Sequence, residues 1–532
     1  MESKSDLSDV ERAQAVYRAA GLLTDDGLLD FLSVPAAANP GAPAVIGLRR
    51  NYSHGELWFE VEALARRLAG RGLRPGETAV LQMGNDESFV LVFLALVACG
   101  VAPVLALPVH RQAELTHFAL ASGARWMILS DRLGDHDASG MIRALRQQLP
   151  EVMEFLVVEA GDVPKSLVAA VPVDPQPDRL PVGAPAFFLL SGGTTGLPKL
   201  IPRCQSEYVY NIRVSAANAG MDASTRYLAA LPMAHNFGLG CPGILGCLSH
   251  GGVVVMTPSA DPQTCLELIE RHRITHTALV PSLAGVWSEA RQSVRTDVSS
   301  LRRLQVGGAR VAPALAQRLI QAFPGSLQQS YGMGEGLLSQ TRMDDDEWHL
   351  LHTQGRPLSP MDEVRIVDEE GRCIEERPGR GELQVRGPYT IRAYFNAESH
   401  NQKAFTADGF FCTGDRVRVE ADGALVIEGR ANDVINRGGD KIGPDEIEDH
   451  LLHHDAVRDV AVVGVPDASL GHRTCVVVVA SRQLRLPELR DFLRTRGLAD
   501  YKLPDRLLQL EQLPKTAFGK TDRRRIQRDL LV

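Results

Sequence analysis

Short apolar runs rich in β-branched residues recur through the first 300 residues of the chain, and helix-like stretches separate several of them. The runs are residues 78–83, 126–130, 155–159, 253–256 and 277–281, and the clearest helical stretches are residues 57–70 and 265–272. Strands that alternate with helices are typical of α/β layers built on mostly parallel sheets. With 532 residues, the chain is long enough for about three to four folding units.

The pattern changes at about residue 360, where shorter segments with frequent glycines follow. Such tight turns indicate a small β-rich subdomain over residues 360–429. Beyond Gly429-Arg430, the chain has apolar runs of its own at 461–465 and 476–480 and an amphipathic stretch at 486–496. We therefore predict an N-terminal core, residues 1–429, followed by a separate α+β domain, residues 430–532.

One stretch, residues 89–107, contains no charged side chain and is long enough to span a bilayer. Gly100 and Pro103 divide it into two short halves. Asn85, Asp86 and Glu87, which precede it, supply capping groups and negative charge for the start of a helix. A buried helix that runs into a buried strand therefore explains the same residues as a membrane span does.

The charge balance is mildly acidic, since 57 Lys and Arg against 65 Asp and Glu give a formal net charge of −8. This argues against a broad nucleic-acid-binding surface but leaves room for one anionic ligand at a local cluster. None of the eight cysteines forms a C-x-x-C pair, which disfavours a structural zinc site and favours reduced cysteines. The N-terminus has no apolar signal core. We expect a cytoplasmic protein with no nucleic-acid or membrane partner.

The sharpest local motif is residues 191–199, which read Ser-Gly-Gly-Thr-Thr-Gly-Leu-Pro-Lys and follow the apolar run 186–190. A strand that enters such a loop presents backbone N–H groups and hydroxyls to phosphate oxygens, and glycine permits close approach. The spacing differs from the G-x-x-x-x-G-K-[ST] P-loop, so composition alone leaves an ordinary glycine-rich turn as an alternative. The candidate phosphate ligands are Ser191, Gly192, Gly193, Thr194, Thr195, Gly196 and Lys199.

Five further segments resemble, in the expected order, motifs of the adenylate-forming superfamily, which includes acyl-CoA synthetases, luciferases and nonribosomal-peptide adenylation domains. They are residues 231–236 (LPMAHN), 331–336 (YGMGEG), 413–415 (TGD), 429–430 (GR) and 514–520 (PKTAFGK). Together with residues 191–203, they look most like the stand-alone aryl-acid AMP ligases of siderophore assembly. The similarity spans nearly the whole chain, and agreement of five ordered motifs by chance is negligible.

The resemblance implies that a carboxylate attacks the α-phosphorus of ATP and that pyrophosphate leaves. Charge builds up on the phosphoryl oxygens, so positioning and electrostatics should dominate catalysis. The 191–199 loop would hold the β and γ phosphates, and Glu335 would help to bind Mg²⁺, which prefers oxygen ligands. Asp415 would accept from the ribose hydroxyls and Arg430 would donate to ribose or phosphate. The other candidate nucleotide contacts are Gly307, Gly308 and Ala309 beside adenine, Tyr331 stacked on the base, and Gly332.

The resemblance also gives Lys520 the role of a mobile catalytic cation between the acid's carboxylate and the α-phosphate. This implies that the C-terminal domain closes over the site and rotates after adenylation. The hinge would lie at Asn432 and Asp433, although family members often carry Asp or Lys where this chain has Asn432. Gly438, Gly439 and Lys441 would line a tunnel for a pantetheine thiol.

By the same resemblance, His235, Asn236 and Phe237 begin the acid pocket, and His235 is also a candidate catalytic residue. An amino-acid-activating domain is expected to carry an aspartate after this phenylalanine, but residues 238–240 read Gly-Leu-Gly. The substrate should therefore lack an α-amino group. Asn236 can donate and accept, which suits an ortho hydroxyl on an aromatic acid.

Cys241 and Leu338 stand where 2,3-dihydroxybenzoate ligases carry a small Ser and a Val, and Gly308 and Gly334 complete the candidate pocket. Both differences remove room and a hydrogen-bond partner for a 3-hydroxyl, and an unpartnered buried hydroxyl costs about 1–3 kcal/mol. We therefore expect salicylate, with 2,3-dihydroxybenzoate second and a heteroaryl acid such as 3-hydroxypicolinate open. A difference of one methylene in a pocket changes the specificity between two substrates by only about 10–200-fold, so the other two acids remain candidates.

The sequence leaves the acyl acceptor open. The chain ends 12 residues after Lys520, without room for a fused carrier domain. We expect the acceptor to be the phosphopantetheine thiol of a separate aryl-carrier protein or of a carrier domain on a synthetase. Coenzyme A is the alternative, which would make the protein an aryl-CoA ligase. A non-catalytic scaffold would be expected to have lost Lys520, Glu335 or the 191–199 loop, and all are present.

Overall fold

The computed structural model describes residues 14–133, 136–149, 151–152, 154–158, 183–191, 198–430, 433–437, 440–467, 470–516 and 519–530. The structural statements that follow concern these residues. Residues 14–19 are helical and precede the labelled elements.

The strands are β1 (Pro43–Ile46), β2 (Asn51–Ser53), β3 (Thr78–Gln82), β4 (Ala102–Ala106), β5 (Trp126–Ser130), β6 (Arg132–Leu133), β7 (His136–Asp137), β8 (Glu154–Val158), β9 (Pro185–Leu190), β10 (Leu200–Cys204), β11 (Arg226–Ala229), β12 (Val253–Met256), β13 (His276–Leu279), β14 (Arg303–Gly307), β15 (Leu327–Met333), β16 (Gly336–Gln340), β17 (Arg356–Pro357), β18 (Glu363–Val367), β19 (Gly379–Arg386), β20 (Phe411–Val419), β21 (Leu425–Arg430), β22 (Ile435–Arg437), β23 (Asp440–Ile442), β24 (Val457–Asp467), β25 (Gly471–Ala480) and β26 (Arg506–Gln509).

The helices are α1 (Leu28–Ala38), α2 (His54–Gly70), α3 (Glu87–Ala98), α4 (Gln112–Ser122), α5 (Ser139–Gln148), α6 (Gln205–Ala219), α7 (Asn236–Gly240), α8 (Gly243–Ser249), α9 (Pro262–His272), α10 (Pro281–Ala290), α11 (Pro313–Ala322), α12 (Glu347–His352), α13 (Glu398–Ala404), α14 (Pro444–Leu451), α15 (Leu486–Thr495) and α16 (Arg523–Leu530).

Two mostly parallel sheets form the N-terminal part of the chain. The larger sheet has the strand order β17-β16-β15-β14-β13-β11-β12-β1-β2, and the smaller has the order β10-β9-β4-β3-β5-β8. Only the edge pairs β1–β2, β15–β16, β16–β17 and β9–β10 of these two sheets are antiparallel. Parallel neighbours need a crossover, and helices supply most of them. The predicted runs 126–130 and 253–256 are β5 and β12.

The charge-free stretch 89–107 forms most of α3 and all of β4, as the buried-helix interpretation predicts. Asp86 caps α3, since its side chain accepts from the backbone N–H groups of Ser88 and Phe89. Every residue of both elements except Ala98 is buried. Within the described parts of the chain, no helix is both long enough and apolar enough to cross a membrane.

Strands β18 to β21 form a four-stranded antiparallel sheet, which matches the predicted β-rich subdomain. Strands β22 to β26 form a further sheet, which packs with α14 and α15 around its own apolar cluster. The α/β fold class with a small α+β C-terminal domain is therefore confirmed. The predicted boundary at residues 429 and 430 falls at the end of β21 and remains a prediction.

The eight cysteines are all unpaired. Five of them are buried, and Cys373 alone is exposed. The five buried cysteines act as small apolar residues of the cores.

Candidate active site

The candidate site lies along one edge of the nine-stranded sheet. Strands β11, β13, β14 and β15 are consecutive parallel neighbours. Their carboxyl ends, and the loops that follow them, therefore meet at the same edge. The 231–236 motif follows β11, Gly308 and Ala309 follow β14, and β15 runs into the 331–336 motif. Sheet topology thus brings together motifs that lie far apart in the chain.

Asp415, the predicted ribose ligand, is held from two sides. It lies opposite Arg430 in the antiparallel pair β20–β21, and Arg430 Nε is 2.7 Å from Asp415 Oδ1. Tyr331 Oη donates to Asp415 Oδ2 at 2.6 Å. Burial, followed by the charge of Asp415, raises the pKa of Tyr331 well above its ordinary value, so the phenol stays a donor. One fixed donor on each oxygen leaves Asp415 with lone pairs for further donors.

Glu335, the predicted magnesium ligand, is buried between β15 and β16. Tyr394 Oη donates to Glu335 Oε1 at 2.6 Å, and the backbone N–H of Ile391 donates to the Glu335 carbonyl at 2.7 Å. The described residues contain no group of three or more His, Cys, Asp or Glu side chains that could hold a metal by themselves. Mg²⁺ at nucleotide sites commonly takes one or two carboxylates together with phosphates and waters. Glu335 therefore fits an ion that arrives with the nucleotide.

Arg203 connects the Glu335 loop to helix α6. Its fully buried guanidinium donates to both carboxylate oxygens of Glu207, at 2.9 and 2.6 Å, and through Nη1 to the Gly334 carbonyl at 2.6 Å. Burial would lower the pKa of Arg203, but Glu207 raises it overall, so the side chain stays charged. This bidentate, charge-assisted geometry fixes the backbone next to Glu335.

The predicted acid-pocket residues Phe237, Cys241 and Leu338 lie in one buried apolar cluster with Ala278. Val280, directly after β13, packs against this cluster. Burial raises the pKa of the Cys241 thiol to about 12, so Cys241 is a neutral, weakly polar side chain. The structure therefore brings together the three side chains that the sequence assigns to the ring of the acid.

Glycine is required at Gly307 and Gly308, whereas a side chain at Gly334 would crowd only the flexible end of Ile201. A Cβ atom at Gly307 would lie 2.3 Å from the Ser330 carbonyl oxygen, and one at Gly334 would lie 2.8 Å from Ile201 Cδ1. Gly308 has a φ of +83°, and a Cβ atom there would be 3.5 Å from Val280 Cγ1. Side chains at Gly307 or Gly308 would displace the strands or enter the pocket.

His235 lies at the start of helix α7, where its Nδ1 accepts from the backbone N–H of Phe237 at 3.2 Å. Burial, followed by the positive charge of Lys520, lowers the pKa of His235 to about 4. The imidazole is therefore neutral at neutral pH and places no second cation beside the lysine.

Asn236 follows in the same turn and is buried. Its Oδ1 accepts a hydrogen bond from Tyr208 Oη at 2.8 Å. Tyr208 lies on helix α6, one residue after Glu207, and is fully buried. The amide that the sequence assigns to the ortho substituent of the acid is thus held by a tyrosine from outside the predicted motifs.

Lys520 reaches the same site from the C-terminal domain. Its charge interacts with those of Arg430, Asp415 and Glu335, and it also acts on the pKa of His235. Solvent still touches the side chain, but surrounding protein partly desolvates the ammonium group. Burial, followed by repulsion from Arg430, lowers the pKa of Lys520 below that of a free lysine. The predicted catalytic lysine and the predicted nucleotide ligands therefore share one site.

Two observations among the described residues place the C-terminal domain against the N-terminal part. A Cβ atom at Gly519 would lie 3.4 Å from Val280 Cγ2, so the loop that carries Lys520 approaches the acid pocket. Arg310, just beyond β14, forms an ion pair with Asp449 of α14 at 2.5 Å. The C-terminal domain therefore lies against the N-terminal part, with Lys520 near the predicted acid pocket.

The base of the predicted phosphate loop is closed by two hydrogen bonds between Ser191 and Lys199. Asp433, a predicted hinge residue, pairs with Arg523 at 3.3 Å. The other predicted residues, Gly192, Gly193, Thr194, Thr195, Gly196, Asn432, Gly438, Gly439 and the side chain of Lys441, lie outside the described residues.

The sequence assigned no role in the site to four side chains that hold it: Tyr394, Tyr208, Arg203 and Asn85, of which Asn85 was expected only as a helix-capping group. Asn85 fixes the 231–236 turn, because its amide donates to the Leu231 carbonyl at 2.7 Å and accepts from the Met233 N–H at 2.8 Å. Of the four, only Arg203 follows directly on a motif, at the end of residues 191–203. The others lie far in sequence from the residues they hold, and no local pattern marks them.

Fold and site together define an adenylate-forming enzyme. The family model described as "AMP-binding enzyme" matches residues 32–395, and the model described as "AMP-binding enzyme C-terminal domain" matches residues 446–520. The chain belongs to the AMP-binding enzyme family of the adenylate-forming superfamily. The resemblance that the five motifs predict is confirmed.

The chain is similar over nearly its whole length to several named proteins. It is 46% identical to pyochelin synthase PchD of Pseudomonas aeruginosa, covering 97% of this chain and 95% of the relative. It is 43% identical to 2,3-dihydroxybenzoate-AMP ligase of Bacillus subtilis (96% and 95%) and 42% identical to salicyl-AMP ligase of Mycobacterium tuberculosis (97% and 93%). The solved apo structure of Mycobacterium smegmatis MbtA has 42% identity and a TM-score of 0.74, with 98% of each chain covered.

Proposed function

We propose that the protein activates an aromatic acid, salicylate in the first place, as its adenylate and then transfers the acyl group to a phosphopantetheine thiol. The observation that carries the proposal is the composition of the acid pocket. Phe237, Cys241 and Leu338 supply an apolar floor of limited size, and the Asn236 amide supplies a polar contact beside it. A flat ring with one ortho hydroxyl suits this arrangement.

The similarities support the reaction but not the choice of ring. Relatives named for salicylate and for 2,3-dihydroxybenzoate are almost equally similar, at 42% and 43% identity. The neutral thiol of Cys241 and the bulk of Leu338 favour salicylate, because neither gives a 3-hydroxyl a strong partner. 2,3-Dihydroxybenzoate is the second candidate, and 3-hydroxypicolinate remains a third.

In the first half-reaction, the acid's carboxylate attacks the α-phosphorus and pyrophosphate leaves. Lys520 would place its cation between the carboxylate and the α-phosphate, since it already interacts with Asp415 and Glu335. Asp415 would orient the ribose, held by Arg430 and Tyr331. Glu335 would hold Mg²⁺, which when bound with ATP neutralises charge on the phosphates. Neutral His235 would close the pocket without repelling Lys520.

For the second half-reaction, we propose that the C-terminal domain rotates about Asn432 and Asp433 and that Gly438, Gly439 and Lys441 then line the path of the thiol. The favoured acceptor is a phosphopantetheinylated aryl-carrier protein or carrier domain. Coenzyme A is the alternative. Relatives named as a salicyl-S-ArCP synthetase and as synthases favour the carrier.

A pyrophosphate-exchange assay with salicylate, 2,3-dihydroxybenzoate, benzoate, 3-hydroxypicolinate and free amino acids tests the first half-reaction. We expect the highest kcat/KM with salicylate and background exchange with amino acids. Exchange at background with every aryl acid would contradict the proposal.

The acceptor is tested by comparing thioester yield on holo-carrier and on coenzyme A, with apo-carrier as the control for the thiol. A higher yield on coenzyme A than on holo-carrier would make the protein an aryl-CoA ligase.

A further inference from the structure

Tyr208 is enclosed by buried groups on several sides. The guanidinium carbon of Arg203 lies 4.8 Å from the centre of its ring, and the Phe187 ring meets it edge-on at 4.7 Å. The hydroxyl itself lies against Gly240, where a Cβ atom would come within 2.4 Å of Oη. A buried aromatic ring packed in this way has little freedom to rotate.

The proton of the Tyr208 hydroxyl determines which way the Asn236 amide faces. Burial raises the pKa of Tyr208 well above its ordinary value, so the hydroxyl keeps its proton and needs an acceptor. Asn236 Oδ1, at 2.8 Å, is the one acceptor that the hydrogen bonds of the described residues provide. Were the amide reversed, its NH₂ group would face Tyr208 and the tyrosine proton would lose that partner.

The same hydrogen bonds leave Asn236 Nδ2 without a protein acceptor within the described ranges. Asn236 Nδ2 is not among the enclosed unpaired atoms of the described residues, so solvent reaches it in the open pocket. Once a ligand covers the pocket, an amide N–H without an acceptor costs about 1–3 kcal/mol, so this group favours a ligand that accepts. Because Asn236 directly precedes Phe237 of the ring pocket, the ortho substituent of a bound acid is the group placed to accept.

We propose that Tyr208 is a positioning residue that locks Asn236 as a hydrogen-bond donor, so that the site selects aromatic acids whose ortho group accepts. The proposal rests on the proposed function, since it concerns the acid of that same site. It makes a chemical distinction between an ortho hydroxyl and an ortho amine.

The distinction follows from proton count. The hydroxyl of a salicyl group donates its single proton to the neighbouring acyl oxygen, and its lone pairs are left to accept from Asn236. An ortho amine also donates one proton to the acyl oxygen, but its second N–H points outward at the Asn236 NH₂ group. Two donors then face each other, and one N–H stays unpaired at a cost of about 1–3 kcal/mol.

The test measures the affinities of non-hydrolysable sulfamoyl analogues of salicyl-, 2-aminobenzoyl- and benzoyl-adenylate by isothermal titration calorimetry, which does not depend on turnover. We expect the wild type to bind the salicyl analogue about 10-fold more tightly than the 2-aminobenzoyl analogue. In Tyr208→Phe the amide is free to reverse, and the ratio should fall to about 3-fold or less. Affinity for the benzoyl analogue, which has no ortho group, should change little.

Tyr210→Phe is the matched control. Tyr210 lies on the same helix and is buried, but its hydroxyl pairs with Ser359 Oγ at 2.9 Å and not with Asn236. It should leave the selectivity ratio unchanged. A double-mutant cycle tests whether Tyr208 acts through Asn236. In an Asn236→Ala background, Tyr208→Phe should have no further effect on the selectivity ratio.

Asn236→Asp tests the same polarity without altering Tyr208. Its carboxylate can accept both from Tyr208 and from an ortho amine, so the preference should invert in favour of the 2-aminobenzoyl analogue.

An unchanged ratio in Tyr208→Phe, an equal loss for all three analogues, or a ratio that still changes in the Asn236→Ala background would overturn the positioning role. Wild-type protein that binds none of the three analogues would overturn the proposed function as well. If the wild type prefers the salicyl analogue and Tyr208→Phe loses that preference, the result would support both the positioning role and the proposed function.

Discussion

The acid pocket and the Lys520 loop meet at one site but are held in different ways. The pocket is fixed by buried, mutually oriented polar groups, namely the Arg203–Glu207 pair and the Tyr208–Asn236 hydrogen bond. Lys520 sits on an exposed loop whose contacts with the N-terminal part include the Gly519–Val280 approach and the partly exposed Arg310–Asp449 pair. The difference agrees with the proposal that the core selects the acid, whereas the predicted catalytic cation is delivered by contacts that can be released at low cost.

Arg203→Met should have the largest effect, because it leaves Glu207 buried without its partner and so destabilises the core beside the acid pocket. We expect a loss of about 3–5 kcal/mol in the free energy of unfolding of the N-terminal part, measured by urea denaturation. Arg66→Met is the control, since Arg66 pairs with Glu62, also four residues away in sequence, but with both side chains 39% exposed. That variant should lose less than about 1 kcal/mol. Equal losses in the two variants would mean that the pocket is not held by its buried pair.

Lys520→Ala should lower the rate of adenylation by about 100- to 1000-fold, as expected when a group that stabilises developing charge is removed. Transfer from preformed aryl-adenylate to the acceptor thiol should stay largely intact. Pyrophosphate exchange and single-turnover thioester formation measure the two steps. Lys515→Ala is the control, because Lys515 lies in the same loop but pairs with Asp459 at 2.9 Å. Equal loss in both half-reactions would contradict the assigned role.

The pH dependence of adenylation should report the lowered pKa of Lys520. The cation is lost as the pH rises through that pKa, so kcat/KM for adenylation should fall at a pH below the ordinary lysine value of 10.5. His235, with a pKa of about 4, should give no titration near neutral pH. A flat pH profile of adenylation up to pH 10.5, or the same alkaline fall in thioester transfer, would contradict a role of the Lys520 cation in adenylation.

Cys241→Ser combined with Leu338→Val should shift specificity without changing the lysine loop. A serine hydroxyl and one methylene less of bulk should accommodate a 3-hydroxyl, so relative kcat/KM should move about 10-fold towards 2,3-dihydroxybenzoate. Competition between the two acids in the pyrophosphate-exchange assay measures the change. If the ratio does not move, these two side chains do not form the floor of the pocket.

Asp449→Asn should have the smallest effect. Removing one partly exposed ion pair should lower adenylation about 2- to 5-fold by disfavouring closure, with less effect on thioester transfer. Asp491→Asn is the control, because Asp491 pairs with Arg494 at 2.9 Å within the C-terminal domain itself. If both variants behave alike, the Arg310–Asp449 contact does not hold the closed state.

Much of the fold follows from local patterns in the sequence. Apolar runs such as β5 and β12 lie between helical stretches, which predicts strands that alternate with helices. Asp86 belongs to a residue type that is preferred at the N-cap of a helix, and it caps α3. The motifs around Glu335, Asp415 and Lys520 predict the superfamily and its reaction through their resemblance to the motifs of that superfamily, because each residue taken alone would more often be an ordinary turn or surface residue. The resemblance also predicts Cys241 and Leu338 as residues of the acid pocket, and the structure places both in one apolar cluster.

By itself the sequence determined the class of enzyme, the order of its folding units along the chain and the residue types of its predicted site, since these depend on local periodicity and on motifs within a few residues. Only the tertiary structure decided which side chains hold that site: Tyr394 on Glu335, Tyr208 on Asn236, and Arg203 on the Gly334 carbonyl. These contacts join residues from different elements. They arise from the order in which strands pair and from which loops leave the same sheet edge, and neither is a property of any single segment.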